Sequence, residues 1–260
     1  MRYEHIRLDR HGPITHLVLN RPEAMNALSS DLMREIEVAS RGFLEDETCR
    51  VVVFRGEGKH FSAGADLKER RAAGNLVMSR RDAALGARMI RAISEIHQVT
   101  IASIHGAALG GGACIPTACD FRVASRDAFC GYPEVNLGIN LMWRSLPLCV
   151  RLIGPARAKR MIMLGQNESA ETLLRWGFLD EVVDREQLAE ATQAMAEAYA
   201  GQPPIAVQMI KQSVNAVSGA LDDAVMHMDT DQNLLTSLTE DRSEGIKAFF
   251  EKRAPEFKGN

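Results

Sequence analysis

At 260 residues the chain has room for one large domain, or one domain with an appendage. A hydrophobic share of 46% and a charged share of 25% fit a globular fold, while a net charge of −3 without any dense basic block argues against nucleic-acid binding. No run approaches 18 apolar residues and the first ten residues lack a signal-peptide core, so a cytoplasmic protein that does not engage membranes is expected.

In chain order, residues 14–20 read as a strand closed by Arg21 and Pro22. Ser29 or Ser30 then caps a helix whose Leu32, Ile36, Ala39 and Phe43 form one apolar stripe. Residues 49–55 are a short apolar run of the buried-strand type, stopped by Gly56 and Gly58. A loop of small residues, 59–66, leads into helical spacing over 67–98, loosened at Gly74 and Asn75. Residues 99–105 are another buried strand running into the Gly110-Gly111-Gly112 triplet, and residues 120–124 a further one. Strands alternating with helices to about residue 125 define an α/β core.

Beyond about residue 141 the pattern turns helical, with predicted helices at 156–164, 169–176, 186–200, 203–218 and 221–238. Gly165, Gly177 and Gly201 are their stops, and a charged helix over 240–252 precedes a frayed tail. Five cysteines (Cys49, Cys114, Cys119, Cys130 and Cys149) at irregular spacing, with no CxxC pair, read as buried reduced thiols and not as a metal site.

Two segments carry chemistry. Three consecutive glycines are entropically expensive, so something approaches that backbone closely or the dihedrals there are unusual. A helix opening on bare N–H groups can hold a negatively charged oxygen. The segment from Ser62 to Asp66 also follows a buried strand, and two N–H groups aimed at one point make an oxyanion hole. Glu134, behind Tyr132 and Pro133, is more firmly placed than a surface acid. Its apolar neighbours Val135, Leu137 and Ile139 predict partial burial and a raised pKa. Read one at a time, the plain alternatives are a tight turn for the glycines, a solvated turn for Glu134 and an inert buried thiol for Cys114. Lone lysines such as Lys68 and Lys252 are usually solvated, and His60 and His97 are assigned nothing. Trp143 and Arg144, shortly after Glu134, suit either a pocket lining or helix packing.

The residues Asn20-Arg21-Pro22, Phe61 to Asp66, Ala108 to Gly112, Cys119-Asp120 and Tyr132 to Gly138, in this order, resemble the crotonase (enoyl-CoA hydratase/isomerase) superfamily. The resemblance spans nearly the whole chain. It implies a spiral of ββα units, with the acyl-CoA site in residues 1–200 and a helical trimerisation region in 201–260. It also implies homotrimers or hexamers and an acyl-CoA thioester substrate, with coenzyme A part of the substrate and neither a separate cofactor nor a metal. By matching position, the Ala65 and Gly111 amides hold the thioester oxygen, and Ala24, Ala63, Asp66, Leu67 and Lys68 lie along coenzyme A. Phe249 and Lys252 reach a neighbouring subunit's site.

One departure matters. Typical hydratases carry a second glutamate where this chain has Cys114, and a glycine-rich stretch where it has residues 139–144. A single acid at the Glu134 position is the pattern of enoyl-CoA double-bond isomerases, which is the leading reading. Hydration, with or without retro-aldol cleavage, of a bulky or aromatic enoyl-CoA remains open, as feruloyl-CoA hydratase/lyases resemble this pattern. So does hydrolysis or decarboxylation, with Arg144 meeting a substrate carboxylate. Outside enzymes, the pattern leaves a non-catalytic paralogue that binds coenzyme A or RNA. Cys114, Trp143 and Arg144 are the candidates for the acyl pocket.

Overall fold

A computed structural model describes residues 3–69 and 75–260. Its main sheet has six strands in the order β1-β2-β3-β4-β6-β9: β1 (Ile6–His11), β2 (Ile14–Leu19), β3 (Val51–Gly56), β4 (Val99–Ile104), β6 (Phe121–Ser125) and β9 (Glu181–Val183). β1 and β2 form an antiparallel hairpin, and every other neighbour in this sheet is parallel. A second sheet joins β5 (Ala107–Leu109), β7 (Phe129–Gly131) and β8 (Asn167–Ser169).

The continuous apolar runs of the parallel strands follow from burial on both faces. In β3, Val52 and Phe54 point to one core, with Leu17, Leu19, Ala102 and Ile104. Val51 and Val53 point to the other, with Ile14, Ile101 and Val123. The first core is covered by α1 (Ser30–Gly42), α2 (Leu76–Ser94) and α3 (Gly111–Ala118), and the second by α6 (Leu188–Ala200). Ser29 is the α1 cap, its hydroxyl accepting from the Leu32 N–H.

Several predicted bounds change. Residues 67–69 are not helical, because α2 starts at Leu76 behind an Asn75 cap; residues 70–74 of the expected helix lie outside the described residues. The helix expected at 156–164 is the second half of α4 (Ser145–Leu164), two helical segments meeting at Gly154. Gly154 and Pro155 hid the first half from a pattern reading. α5 (Ala170–Trp176) and α7 (Pro204–Ser218) match their predicted stretches. Residues 221–238 form two helices, α8 (Asp222–Met226) and α9 (Asp229–Ser237), and α10 (Glu240–Glu251) follows. The largely helical C-terminal half also contains β8 and β9.

Lys211 ties α7 to the sheet through Asp120 (2.6 Å) and the Gln98 carbonyl (2.8 Å). No residue of α7 is fully buried, and Ile205, Met209, Ile210, Val214 and Val217 are all exposed. The five cysteines are buried and free. Among the described residues no helix is long and apolar enough to cross a membrane, and no group of three or more His, Cys, Asp or Glu could hold a metal ion.

Candidate active site

The site starts from an extended rib, residues 61–66, stitched between two neighbours. On one side the Phe61 and Ser62 N–H groups donate to the His105 and Ala107 carbonyls, and Leu109 N–H donates to Ser62. On the other side Ala63 N–H donates to Met25, Leu28 N–H to Gly64, and Asp66 N–H to Leu28. Asn26 fixes the outer neighbour. Buried and at φ 52°, it accepts from the Arg21 N–H and donates to the Glu57 and His60 carbonyls.

Gly64 is where rib and helix meet most closely. Its φ is +93°, and a Cβ there would lie 2.5 Å from the Leu109 carbonyl oxygen and 3.5 Å from the Gly111 nitrogen. Only glycine fits both the dihedral and the approach. The Ala65 N–H follows at once, and the Gly111 N–H opens α3. Among the described residues no protein group accepts from either N–H. The Gly111 amide also sits at the positive end of the α3 dipole.

Glu134 reaches this point from a short 3₁₀ turn, Pro133–Leu137. Tyr132, completely buried, anchors the turn to α3 through its hydroxyl and Thr117. Pro133 then fixes the direction of the chain. A Cβ on Gly110 would lie 2.9 Å from Glu134 Oε1, so the carboxylate covers that glycine. Residue 134 is half-buried as a whole, yet Oε2 is sealed from solvent and has no hydrogen-bond partner among the described residues. Burial disfavours the charged form and, offset only in part by a hydrogen bond from the residue's own backbone N–H, raises the carboxyl from 4.5 to about 7. From behind, α10 braces the turn backbone to backbone: a Cβ on Gly245 would meet Leu137 at 2.7 Å, and one on Gly138 would meet Asp241 at 2.6 Å.

Cys114 lies one turn into α3, its thiol donating to the Gly110 carbonyl at 3.4 Å. Burial pushes it well above the ordinary thiol range, and Glu134 adds to the shift, so it is a neutral thiol at physiological pH. The Trp143 indole is buried with its benzo edge over Gly111 and its pyrrole edge over Gly86 of α2. A Cβ would meet the ring at 1.9 Å from Gly111 and at 2.0 Å from Gly86.

Trp143 and Arg144 are consecutive non-glycine residues in left-handed conformation (φ 66° and 61°), each costing roughly 1–2 kcal/mol. The buried Asp229 carboxylate of α9 offsets this by accepting from both backbone N–H groups. The Arg144 guanidinium does not join the carboxylate of Glu134. It pairs with Asp223 and lines a different cavity, of about 950 Å³, with Arg91, Arg151 and Lys211.

The remaining candidates lie along the rib and at the chain's end. Ala24 and Ala63 are half-buried beside Met25. Asp66 is held by the Arg21 guanidinium at 3.2 Å and accepts from the Lys68 N–H. Leu67 and Lys68 are exposed. Phe249 is 58% exposed at the end of α10, and Lys252 caps that helix in a left-handed conformation. Pattern reading missed Arg21, Asn26, Gly86, Tyr132 and Asp229 as parts of the site. Arg21 and Tyr132 stood inside the motifs that carry the resemblance without a role assigned to them, and Gly86 carried a signal as a glycine inside a helix, where it costs about 1 kcal/mol against alanine.

The whole chain superposes on the crystal structure of an enoyl-CoA hydratase from Mycobacterium avium subsp. paratuberculosis. The TM-score is 0.90 at 23% identity, covering 99% of this chain and 100% of that one, so the fold is that of the crotonases. In sequence it is 32% identical to a short-chain-enoyl-CoA hydratase of Clostridium acetobutylicum, covering 97% of each chain. It is also 31% identical to a 1,2-epoxyphenylacetyl-CoA isomerase of Escherichia coli, covering 94% of each. Residues 9–260 match the enoyl-CoA hydratase/isomerase family, to which this chain belongs.

Proposed function

We propose that this chain is an enoyl-CoA double-bond isomerase working through one carboxylate. The observation that carries the reading is an acid, brought to about 7 by burial, over Gly110 and next to the Gly111 N–H, while among the described residues neither that N–H nor the one of Ala65 has a protein acceptor. The Ala65 and Gly111 amides receive the thioester oxygen. Glu134 removes a proton from Cα of a 3-enoyl-CoA, and the electron pair passes to that oxygen as a dienolate. The same carboxyl returns the proton at Cγ as the Cα–Cβ double bond forms, so no co-reactant is consumed.

Ala24, Ala63, Asp66, Leu67 and Lys68 line the path of coenzyme A, which enters only as part of the substrate. Phe249 and Lys252 complete the site of a neighbouring subunit in a trimer or a dimer of trimers. The uncovered apolar face of α7 supports such an assembly.

Hydration is the second reading, favoured by the hydratase name of the Clostridium acetobutylicum relative. Against it stands the neutral Cys114 thiol, which cannot serve as the second carboxylate that activates water. The pairing of Arg144 with Asp223 weakens the decarboxylation reading, since that guanidinium is already engaged.

The deciding experiment is turnover of a 3-enoyl-CoA in D₂O. Isomerisation gives conjugated thioester carrying deuterium and little 3-hydroxyacyl-CoA. Rapid hydration of crotonyl-CoA with negligible movement of a 3-enoyl double bond overturns the reading.

A further inference from the structure

Gly110 and Gly111 are covered side by side, the first by the Glu134 carboxylate and the second by the Trp143 indole. The peptide between them carries the Gly111 N–H that receives the thioester oxygen in the reading above, on which this inference rests. An acyl group anchored at that N–H, with its Cα beside Glu134, therefore has the indole as its next neighbour. The ring spans the gap between α3 and α2, seated in two glycine notches too tight for a single added carbon on either side. It is 4% exposed, and its backbone is pinned by Asp229, which holds the ring in this position.

We propose that the Trp143 indole is the end wall of the acyl subsite and restricts this enzyme to short acyl groups. Gly86 is the complementary feature: a glycine in the middle of α2 that leaves room for the ring to lie across the gap. The indole is a specificity-determining group, and the proton transfer itself does not require it.

The test separates binding from chemistry. Affinities of the wild type for unreactive saturated acyl-CoAs of four, six and eight carbons are measured by calorimetry, alongside kcat/KM for the matching 3-enoyl-CoAs. Wild type is expected to gain nothing, or to lose affinity, beyond four carbons. Trp143→Ala opens the wall, and affinity should then rise about fourfold for each added methylene buried. Trp143→Leu keeps an apolar filler of smaller size and should shift the optimum by one or two methylenes. It carries the test if the alanine variant does not fold.

A wild type that already binds the eight-carbon ligand more tightly than the four-carbon one overturns the proposal. So does a folded Trp143 variant with an unchanged chain-length profile. A length-dependent shift in binding by saturated ligands without any isomerase turnover would keep the wall and reject the reaction.

Discussion

Replacing Glu134 by glutamine removes the charge while keeping the shape, and burial sets the size of two separate effects. Raising the acid from 4.5 to about 7 means that the folded protein binds more protons than the unfolded chain between those values. The contribution of Glu134 to stability is therefore fullest below pH 4.5 and is lost as pH climbs through 7. At about 1.4 kcal/mol per pH unit the loss on going to pH 8 is about 3 kcal/mol. Glu134→Gln has no such titration. In urea unfolding the variant should match wild type near pH 4.5 and exceed it by about 3 kcal/mol at pH 8.

Activity responds with the opposite slope, since the base must be ionised: kcat/KM of wild type should rise with pH to a plateau, with a midpoint near 7. The variant should lose roughly 10²–10⁴-fold in turnover, followed through the conjugated-thioester absorbance. An inflection near 4.5, or a stability gap between the two proteins that does not change with pH, would refute the burial argument. Turnover within a factor of two of wild type would remove Glu134 from the mechanism.

Gly111→Val drives a side chain into the Trp143 ring, where a Cβ already falls 1.9 Å from it. The expected loss is about 1–3 kcal/mol of stability, with turnover down by ~10²–10³ as the amide is turned. Combined with Trp143→Ala, it should cost less than the sum of the two single losses while turnover stays low, and a Gly111→Val protein as stable as wild type in thermal melts would contradict this packing. The apolar face of α7 predicts a trimer or hexamer in sedimentation at micromolar concentration, and Ile210→Asp with Val214→Asp should yield smaller species. A wild-type monomer under those conditions would also leave Phe249 and Lys252 without a neighbouring site.

The buried parallel strands were legible because burial on both faces demands continuous apolar runs, as in Val51 to Phe54. β1 escaped because a half-exposed edge strand with Arg7, Asp9 and Arg10 shows little alternation. β5, β7, β8 and β9 span three residues each, too few for any period to show. Glycines 110–112 and Glu134 stood out because costly residues cluster there. Asp229 did not, since Asp229-Thr230-Asp231 reads as a solvated helix start while the fold buries its first carboxylate under Trp143 and Arg144. Arg144 was legible only as a cation, and its partner Asp223 lies far along the chain.

The brace that α10 places behind the Glu134 turn sets an order of events during synthesis. Leu137 and Gly138 leave the ribosome while Gly245 and Asp241 are still roughly a hundred residues away, or ~5–20 s at ordinary elongation rates. Through that interval the turn that carries the acid lacks its backing. A nascent chain thus holds Ala65, Gly111 and Glu134 before the contacts of Gly245 and Asp241 that brace the turn from behind. The last helix completes the support of the acid.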